Sequence, residues 1–479
     1  MNQQELLGRL SEKIKENEKQ RKNDPYRLQF HLMPPIGLLN DPNGLIQYKD
    51  KYHVFYQWNP FETSHGPKFW GHYTSDDLVH WEDHPPALIP TEWYERNGCY
   101  SGSAIEVGGK LLLFYTGNVK DEAKRETYQC VAVSDNGMDF AKEGPVIFLP
   151  DGFTPHFRDP KVWRRNDSWY MVVGAQTCEK EGAVVLFSSI DLQHWEYRGP
   201  IAGSYMNGLN AFGYMWECPD FFQIGSKDIL LVSPQGLEPS GYHYQNLFQS
   251  GYFIGEWKVG TTEFNHGDFL ELDRGFDFYA PQTFEDEKRR RIMFGWMGIT
   301  DENESFQPTI EQGWIHALTI PRQLILEGEK LYQKPVEELV KLRRKKDFHG
   351  TVSLRDGVNT YEEIHGEVSE VKVRFDYVHA EKVEIVIRNN VHLYFYPGQG
   401  IFTLEREVFK GGAFESRSCE LLQLKDMHIF LDRSSIEVFI NGGEEVFTAR
   451  FFANPDNQSI VFKASGQVEM FVEKWELGE

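Results

Sequence analysis

Apolar runs that recur at a nearly constant interval dominate the first two-thirds of the chain. Each run follows a polar or charged pair, and the five runs are DKYHVFYQW, GKLLLFYTG, DSWYMVVGA, SKDILLVSP and RRRIMFGWM. Their second residues, taken as markers at positions 51, 110, 168, 227 and 290, lie 59, 58, 59 and 63 residues apart. Short apolar runs bounded by turn-forming residues are typical of β-strands.

A second pattern keeps the same interval. The segments SDDLVHW, SDNGMDF and SIDLQHW end at Trp81, Phe140 and Trp195, which are 59 and 55 residues apart. A polar turn followed by an aromatic residue predicts a β-turn and an outer strand. Because one such unit cannot bury its own apolar face, repeated units must pack against each other. Residues 30–334 are therefore predicted to form a five-bladed β-propeller around a central channel.

The periodicity stops after Arg322, and the rest of the chain has a different pattern. Residues 335–347, PVEELVKLRRKKD, are charged and compatible with a helical linker. Residues 348–479 contain alternating runs such as VKVRFDYV and SSIEVFINGGEEVFTARFF, which predict a C-terminal antiparallel β-sandwich. Residues 1–29 are polar and predict a helical N-terminal extension. The expected fold class is all-β.

Composition limits the classes of ligand and the cellular compartment that are expected. With 72 acidic and 50 basic residues, the net charge of −22 argues against a nucleic acid partner. The absence of long apolar runs and of an apolar leader predicts no membrane association and a cytoplasmic protein. The sequence does not fix the oligomeric state. No cofactor or metal is expected, because the cysteines show neither paired nor metal-ligand spacing: Cys99, Cys130, Cys178, Cys218 and Cys419.

Three carboxylates occupy equivalent places in the repeat. Asp41, Asp159 and Glu217 lie 10, 9 and 10 residues before the markers of their repeats, and Ser101 lies 9 before its marker. If the marked run is the second strand of a blade, these residues lie on the first strand, which lines the channel. The acids should then converge, and mutual repulsion should raise at least one pKa. A pair of carboxyls, one ionised and one protonated, is the machinery of glycoside hydrolysis.

Chain neighbours suggest which carboxyl holds the proton. Arg158 precedes Asp159 and is expected to keep that acid ionised, whereas apolar residues around Glu217 favour its neutral form and make it the proton donor. Each motif taken alone has a structural alternative, since Asn-Asp-Pro-Asn-Gly is typical of turns and Arg-Asp-Pro of local ion pairs. Their common phase with the repeat favours catalysis.

The chain resembles glycoside hydrolase family 32, the invertase and fructosidase family, along nearly its whole length. The motifs that carry the resemblance are NDPNG (40–44), YQWNP (56–60), WGH (70–72), SGS (101–103), FRDP (157–160), WECPD (216–220), DFYAPQ (277–282), GWM (295–297) and DRSSIEVFINGGEEVFTARFF (432–452). The resemblance implies a five-bladed propeller with a C-terminal sandwich. It also implies retaining hydrolysis of β-fructofuranosides through a covalent fructosyl-enzyme, without a cofactor.

The resemblance also implies residue roles. Asp41 would be the nucleophile, Asp159 the transition-state stabiliser and Glu217 the acid/base. The residues expected around the sugar have structural alternatives: they could cap turns, bond to backbone groups or pack as core aromatics. The residues expected around the sugar are Asn40, Gln57, His65, Trp70, Tyr100, Ser101, Arg158, Tyr279 and Trp296.

Two departures from the family pattern concern the substrate. Many relatives have Trp-Met where this chain has Leu38-Leu39, and a family tryptophan aligns with His65. The pattern at 68–73 and 97–103 is most similar to the bacterial intracellular branch of the family, which acts on sucrose phosphorylated on glucose. Such a substrate needs a cation on the glucose side, for which Lys68, His65 and His243 are candidates; solvated loop residues are the alternative.

Other functions remain open at this stage. Within enzymes, the alternatives are exo-hydrolysis of fructans, fructosyl transfer to another sugar, and inverting hydrolysis of arabinosides or xylosides. A non-catalytic carbohydrate-binding protein is the alternative of another class. Such a protein is expected to lack at least one of the three acids, all of which are present here.

Overall fold

The computed structural model describes residues 3–121, 124–355 and 359–478. It confirms the expected fold class, because a five-bladed β-propeller is followed by a C-terminal β-sandwich. Two short helices precede the propeller, α1 over Gln3–Glu16 and α2 over Glu18–Lys22. No helix in the described ranges is long and apolar enough to cross a membrane.

Each blade is an antiparallel sheet of successive strands. Blade I contains β1 Gly37–Tyr48, β2 Lys51–Asn59, β3 Phe69–Ser75 and β4 Trp81–Leu88. Blade II contains β5 Cys99–Val107, β6 Lys110–Lys120, β7 Arg125–Ser134 and β8 Ala141–Phe148. Blade III contains β9 Phe153–Arg165, β10 Ser168–Thr177, β11 Gly182–Ser189 and β12 Glu196–Gly203. Blade IV contains β13 Met215–Ile224, β14 Lys227–Gln235, β15 Gly251–Trp257, β16 Phe264–His266 and β17 Leu270–Glu271.

Blade V closes the ring. Its strands and two short bridging strands are β18 Tyr279–Glu285, β19 Arg291–Met297, β20 Trp314–Ile315, β21 Ala317–Leu318, β22 Arg322–Glu327 and β23 Lys330–Pro335. β20 leaves blade V and pairs in parallel with β1, so the last blade is tied to the first. The first strands β1, β5, β9, β13 and β18 contact one another in a closed ring. The channel is therefore lined by the strands that carry the three acids.

The marked apolar runs form the second strands, as the repeat predicted. β2, β6, β10 and β14 begin at the marker residues Lys51, Lys110, Ser168 and Lys227, and β19 begins one residue after the fifth marker. Most side chains of these strands are buried, because each blade packs against a neighbour on both faces. This explains why the runs are nearly continuous rather than alternating.

Every first strand contains a β-bulge at the same level. The bulged residues are Asn40 and Asp41 in β1, Ser101 in β5, Asp159 and Pro160 in β9, Cys218 and Pro219 in β13, and Ala280 and Pro281 in β18. A bulge frees one residue from the ladder and redirects its side chain, and it tolerates proline, which has no N–H to donate. Asp159, Cys218 and Ala280 take positive φ values of 69°, 47° and 49° there.

The sandwich is built on two long strands that pair along their lengths, β26 and β33. Its strands are β24 Arg343–Leu354, β25 Thr360–His365, β26 Ser369–Ile387, β27 Val391–Tyr396, β28 Ile401–Glu407, β29 Phe414–Glu420, β30 Asp426–Asp432, β31 Ser435–Ile440, β32 Glu445–Arg450 and β33 Ser459–Leu477. The Gly442-Gly443 turn joins β31 to β32, with φ values of 72° and 92°.

The segment at 335–347 is helical only in its first half. A 3₁₀-helix spans Glu337–Leu342, and β24 already begins at Arg343. The basic residues after position 343 therefore belong to a strand, where β24 pairs with β33. Two further 3₁₀-helices, Glu304–Phe306 and Pro308–Ile310, lie between β19 and β20.

A buried ion cluster joins the two domains. The fully buried Arg322 of blade V contacts Asp273 of the propeller (Nη1 to Oδ2, 3.0 Å) and Glu437 of the sandwich (Nη2 to Oε2, 2.5 Å). His31 lies between Glu437 and Asp432, at 2.9 and 2.8 Å. The charges are paired within the interface, which is the condition under which buried ions are tolerated.

Candidate active site

A cavity of about 510 Å³ opens at the level of the bulges, and all three predicted acids line it. Asp41 comes from blade I, Asp159 from blade III and Glu217 from blade IV. The side chains are brought together because each lies in or directly beside the bulge of a first strand. The convergence expected from the repeat is therefore present.

Asp41 is held by three hydrogen-bond donors. Ser101 Oγ donates to Oδ2 at 2.5 Å, Asn40 Nδ2 to Oδ1 at 3.1 Å, and Gln57 Nε2 to Oδ2 at 3.3 Å. Burial raises the pKa of Asp41, and the negative charge of Glu217 adds to the rise, whereas the Ser101 hydrogen bond opposes it. The net shift is upward. The donors fix the orientation of the carboxylate, which is what a nucleophile requires.

Asp159 lies at the positive-φ position of the β9 bulge. Its Oδ2 accepts a hydrogen bond from the backbone N–H of Cys218 at 3.0 Å. The Cys218 thiol lies 3.5 Å from that oxygen and 3.7 Å from Asp41 Oδ2, so it bridges the two carboxyls. Burial raises the pKa of Asp159 to about 7 against the opposing charge of Arg158, with help from the charges of Glu217 and Asp41.

Glu217 is the most strongly coordinated of the acids. Arg158 Nε donates to its Oε1 at 2.9 Å, and Tyr279 Oη and Gln235 Nε2 donate to its Oε2 at 2.6 and 2.5 Å. Burial raises the pKa of Glu217, but the Arg158 charge and these hydrogen bonds outweigh it, and the pKa is lowered.

This pairing corrects the expected charge distribution. Arg158 was expected to keep its neighbour Asp159 ionised and to leave Glu217 neutral; instead it pairs with Glu217, and the pKa of Asp159 rises. Adjacent residues of a strand direct their side chains apart, so adjacency in the chain does not decide which acid the guanidinium meets. The expectation that apolar residues surround the Glu217 carboxyl is also wrong, because polar donors contact both of its oxygens.

Most residues expected around the sugar do line the cavity. They are Asn40, Gln57, His65, Tyr100, Arg158, Tyr279 and Trp296, together with Lys68 from the phosphate candidates. Ser101 lies behind Asp41 and donates to it and accepts from Gln57.

Two expected residues lie elsewhere. Trp70 is fully buried; its indole donates to the carbonyl of Tyr100 at 3.0 Å and packs against Phe55 and Tyr115, so it supports the cavity wall from behind. His243 lies in the loop after β14. Its Nδ1 is 3.0 Å from Glu271 and 2.8 Å from Arg274, outside the cavity.

One wall is organised by Glu304, which the sequence did not single out. Its Oε1 contacts His65 Nε2 at 3.2 Å and His316 Nε2 at 2.8 Å. Lys68 Nζ lies 3.3 Å from the other nitrogen of His65. Burial lowers the pKa of Lys68 to about 7, against the attraction of Asp41 and Glu304.

Other cavity residues were also not predicted, among them Gln235, Arg125 and Lys120. Gln235 had a weak signal in the repeat, because it directly follows the fourth marked apolar run. Arg125 and Lys120 had none, because they lie at the ends of β7 and β6, outside the repeated motifs. Within the described ranges, no group of three or more His, Cys, Asp or Glu side chains is arranged to hold a metal ion.

Comparison with known proteins gives consistent matches along the chain. Residues 31–335 match the glycosyl hydrolases family 32 N-terminal domain, and residues 338–477 match the glycosyl hydrolases family 32 C terminal. A sucrose-6-phosphate hydrolase from Bacillus subtilis (strain 168) is 50% identical, with 99% of each chain covered. A raffinose invertase from Escherichia coli is 40% identical, with 91% of each chain covered.

Solved structures also match this chain along nearly its whole length. A sucrose-6-phosphate hydrolase from Lactobacillus gasseri superposes with a TM-score of 0.88 at 32% identity, covering 98% of this chain and 96% of its own. A variant of a family 32 β-fructofuranosidase from Bombyx mori, in complex with sucrose, gives 0.87 at 34% identity, covering 100% and 99%. The chain belongs to glycosyl hydrolases family 32.

Proposed function

We propose that this protein is a β-fructofuranosidase that hydrolyses the fructosyl bond of sucrose 6-phosphate, and of sucrose, with retention at the anomeric carbon. The observation that carries the proposal is the meeting of Asp41 and Glu217, from different blades, in one cavity with Asp159. One carboxylate can attack while another delivers a proton, which is the chemistry of retaining glycosidases. The names of its relatives support the substrate class.

In the first step, Asp41 attacks the anomeric carbon of fructose. The bond from that carbon to the glycosidic oxygen breaks, and Glu217 gives its proton to the departing oxygen of glucose. In the second step, Glu217 takes a proton from water, whose oxygen displaces Asp41 from the anomeric carbon and releases fructose. Asp159 accepts hydrogen bonds from fructose hydroxyls and stabilises the positive charge that develops on the sugar.

The productive form needs its proton on Glu217, whereas in the ligand-free geometry the pKa of Glu217 is lowered and the pKa values of Asp159 and Asp41 are raised. Three interacting carboxyls titrate as a set, so the proton can shift within the cluster when a sugar displaces water. A sugar hydroxyl that donates to Asp159 favours the ionised form of that acid. Substrate binding thus favours the arrangement that catalysis requires.

The intracellular setting belongs to the same proposal. Sucrose that arrives phosphorylated is a cytoplasmic substrate, and the relatives named sucrose-6-phosphate hydrolases support this placement. All five cysteines are free thiols, which suits a reducing compartment.

The proposal is tested by following products. Proton NMR of the first minutes of reaction should show β-fructofuranose released from both substrates, and initial rates give kcat/KM for each. Release of the α-anomer would contradict retention, and oligosaccharides at high sucrose would indicate transfer instead. The Asp41→Asn variant should lose at least about 10⁴-fold in kcat while its circular dichroism stays that of the parent. A protein that only binds sugar would release no fructose.

A further inference from the structure

We infer that Arg125 and Lys120, at the end of the β6–β7 hairpin of blade II, form a binding site for the phosphate group on the glucose half of the substrate. This inference rests on the proposed function and adds to it the residues that distinguish a phosphorylated sugar from a neutral one. Neither residue belongs to the three-acid cluster, and both line the same cavity.

The two cations face each other across the hairpin. Lys120 is the last residue of β6, and it pairs directly with Arg125, the first residue of β7. Like charges at opposed positions of an antiparallel pair destabilise it. The placement is understandable if an anion binds between them and offsets the repulsion.

Arg125 is held in place by neutral partners. Its Nε donates to Asn118 Oδ1 at 3.1 Å, and its Nη1 lies 3.4 Å from His156 Nδ1. Burial lowers the pKa of His156 to about 4, so this imidazole is uncharged at neutral pH. Among the described residues, no carboxylate forms an ion pair with Arg125 or Lys120. A guanidinium that is held in place and partly buried without a direct ion pair gains from an incoming anion.

Two acidic residues of the described part of this hairpin are engaged by other cations. Asp121 pairs with Arg96 at 3.1 Å, and Glu126 pairs with Lys124 at 2.5 Å. Neither Asp121 nor Glu126 therefore forms an ion pair with Lys120 or Arg125. In a chain with a net charge of −22, a local positive region is what allows a dianionic group to approach.

The site lies on the side to which glucose departs. Arg158 Nε contacts Glu217 at 2.9 Å, its Nη1 contacts His156 Nδ1 at 3.1 Å, and the same nitrogen of His156 meets Arg125. This line of contacts runs from the proton donor to Arg125. Because Glu217 protonates the oxygen that leaves with glucose, the glucose ring lies beyond Glu217 and its 6-phosphate extends toward the hairpin.

The earlier phosphate candidates fit less well. Lys68 lies near Asp41 rather than Glu217, and the negative charges of Asp41 and Glu304 already attract it. His243 lies outside the cavity. A guanidinium also matches phosphate better than an amine does, since it can donate two parallel hydrogen bonds to two phosphate oxygens.

The test compares two substrates on four proteins: the parent, Arg125→Gln, Lys120→Gln and the control Lys110→Gln, an exposed lysine at the other end of β6 that does not line the cavity. For Arg125→Gln, kcat/KM on sucrose 6-phosphate should fall at least about 10-fold while the value on sucrose changes less than about 3-fold. Lys120→Gln should show the same selectivity with a smaller loss, and Lys110→Gln should match the parent. Equal losses on both substrates, or no loss on either, would overturn the inference.

Product inhibition gives a second readout that does not depend on turnover of the phosphorylated substrate. With sucrose as substrate, glucose 6-phosphate should inhibit the parent at lower concentration than glucose does, and the difference should disappear in Arg125→Gln. If the parent shows no preference for either phosphorylated molecule, the phosphate site is refuted although fructose release stands. If the parent releases no fructose from either substrate, the proposed function itself is refuted. Lys120 is exposed, so Lys120→Gln should fold normally and can be measured even if Arg125→Gln folds poorly.

Discussion

Arg158 follows Phe157 and precedes Asp159 in the chain, yet its guanidinium contacts Glu217, 59 positions away, at 2.9 Å. The two residues lie on the first strands of neighbouring blades, and the contact sets the charge of the cluster. It holds the pKa of Glu217 low although burial acts in the opposite direction. The proton donor of the proposed reaction is therefore tuned by a residue from another blade.

Replacing Arg158 should shift the pH profile of activity. In Arg158→Gln the opposing charge is gone, so the pKa of Glu217 should rise, and the alkaline limb of kcat/KM should move up by about 1–3 pH units. The sign follows because the proton donor must be protonated and a nearby cation favours its ionised form. Arg164→Gln, on the exposed part of the same strand, is the control and should keep the parental profile. An unmoved limb would argue against Glu217 as the titrating donor.

Replacing Glu217 by Gln should separate protonation from attack. Sucrose needs a proton on its leaving oxygen, so its kcat should fall about 10²–10⁴-fold. β-Fructofuranosyl fluoride has a leaving group that needs little protonation, and its formation of the fructosyl-enzyme should fall less than about 10-fold. Stopped-flow release of fluoride measures this step. Glu256→Gln, an exposed residue of blade IV, should behave as the parent on both substrates. Equal losses on the two substrates would sink the assignment.

Two buried histidines of blade I should make stability depend on pH. His53 Nδ1 lies 3.0 Å from His72 Nε2; burial lowers the pKa of His53 to about 4 and that of His72 well below its usual range. In the unfolded chain both bind protons below about pH 6.5, so the folded state loses stability as pH falls below that value. The contribution of His53 is on the order of 3 kcal/mol between pH 7 and pH 4.

Urea unfolding at pH 7.5 and at pH 5 measures this dependence. His53→Phe should be less stable than the parent at pH 7.5, because His72 loses a partner, but it should lose less stability on acidification. His379→Gln, an exposed histidine of the sandwich, should follow the parent at both values. A steeper loss in His53→Phe than in the parent would contradict the prediction.

The buried Arg322 should be essential for the joint between the domains. Arg322→Leu leaves Asp273 buried without its cation and Glu437 with His31 as its remaining partner, so the free energy of unfolding should fall by about 3–5 kcal/mol. Arg289→Leu removes an exposed pair with Glu285 and should cost less than about 1 kcal/mol. Urea midpoints followed by tryptophan fluorescence give both values. If the two variants were equally stable, the interface cluster would not be what couples the domains.

The five-bladed architecture could be predicted because its second strands recur at a nearly constant interval in the sequence. Lys51, Lys110, Ser168 and Lys227 begin second strands as expected, since buried blades need apolar runs at a fixed interval. The same phase located Asp41, Asp159 and Glu217 on first strands, and the cavity confirms that they meet.

The contacts between blades could not be predicted. The partner of Arg158 depends on how far its side chain extends toward the next blade, and the cavity position of Arg125 depends on where β7 begins in blade II. His243 was expected at the cavity, but the loop after β14 places it against Glu271 and Arg274, outside the cavity. A single sequence contains no periodic signal for such distances.

The bulges shared by the first strands have a consequence for how this scaffold can change. A bulged residue is released from the ladder, so its side chain can be exchanged without breaking strand pairing. Blade II already presents a hydroxyl there and blade V an alanine, in the places where blades I and III present acids. Each blade therefore offers one position at which a side chain can be replaced while its strands stay paired. Such replacements can accumulate in one blade at a time, and the unchanged blades continue to line the cavity.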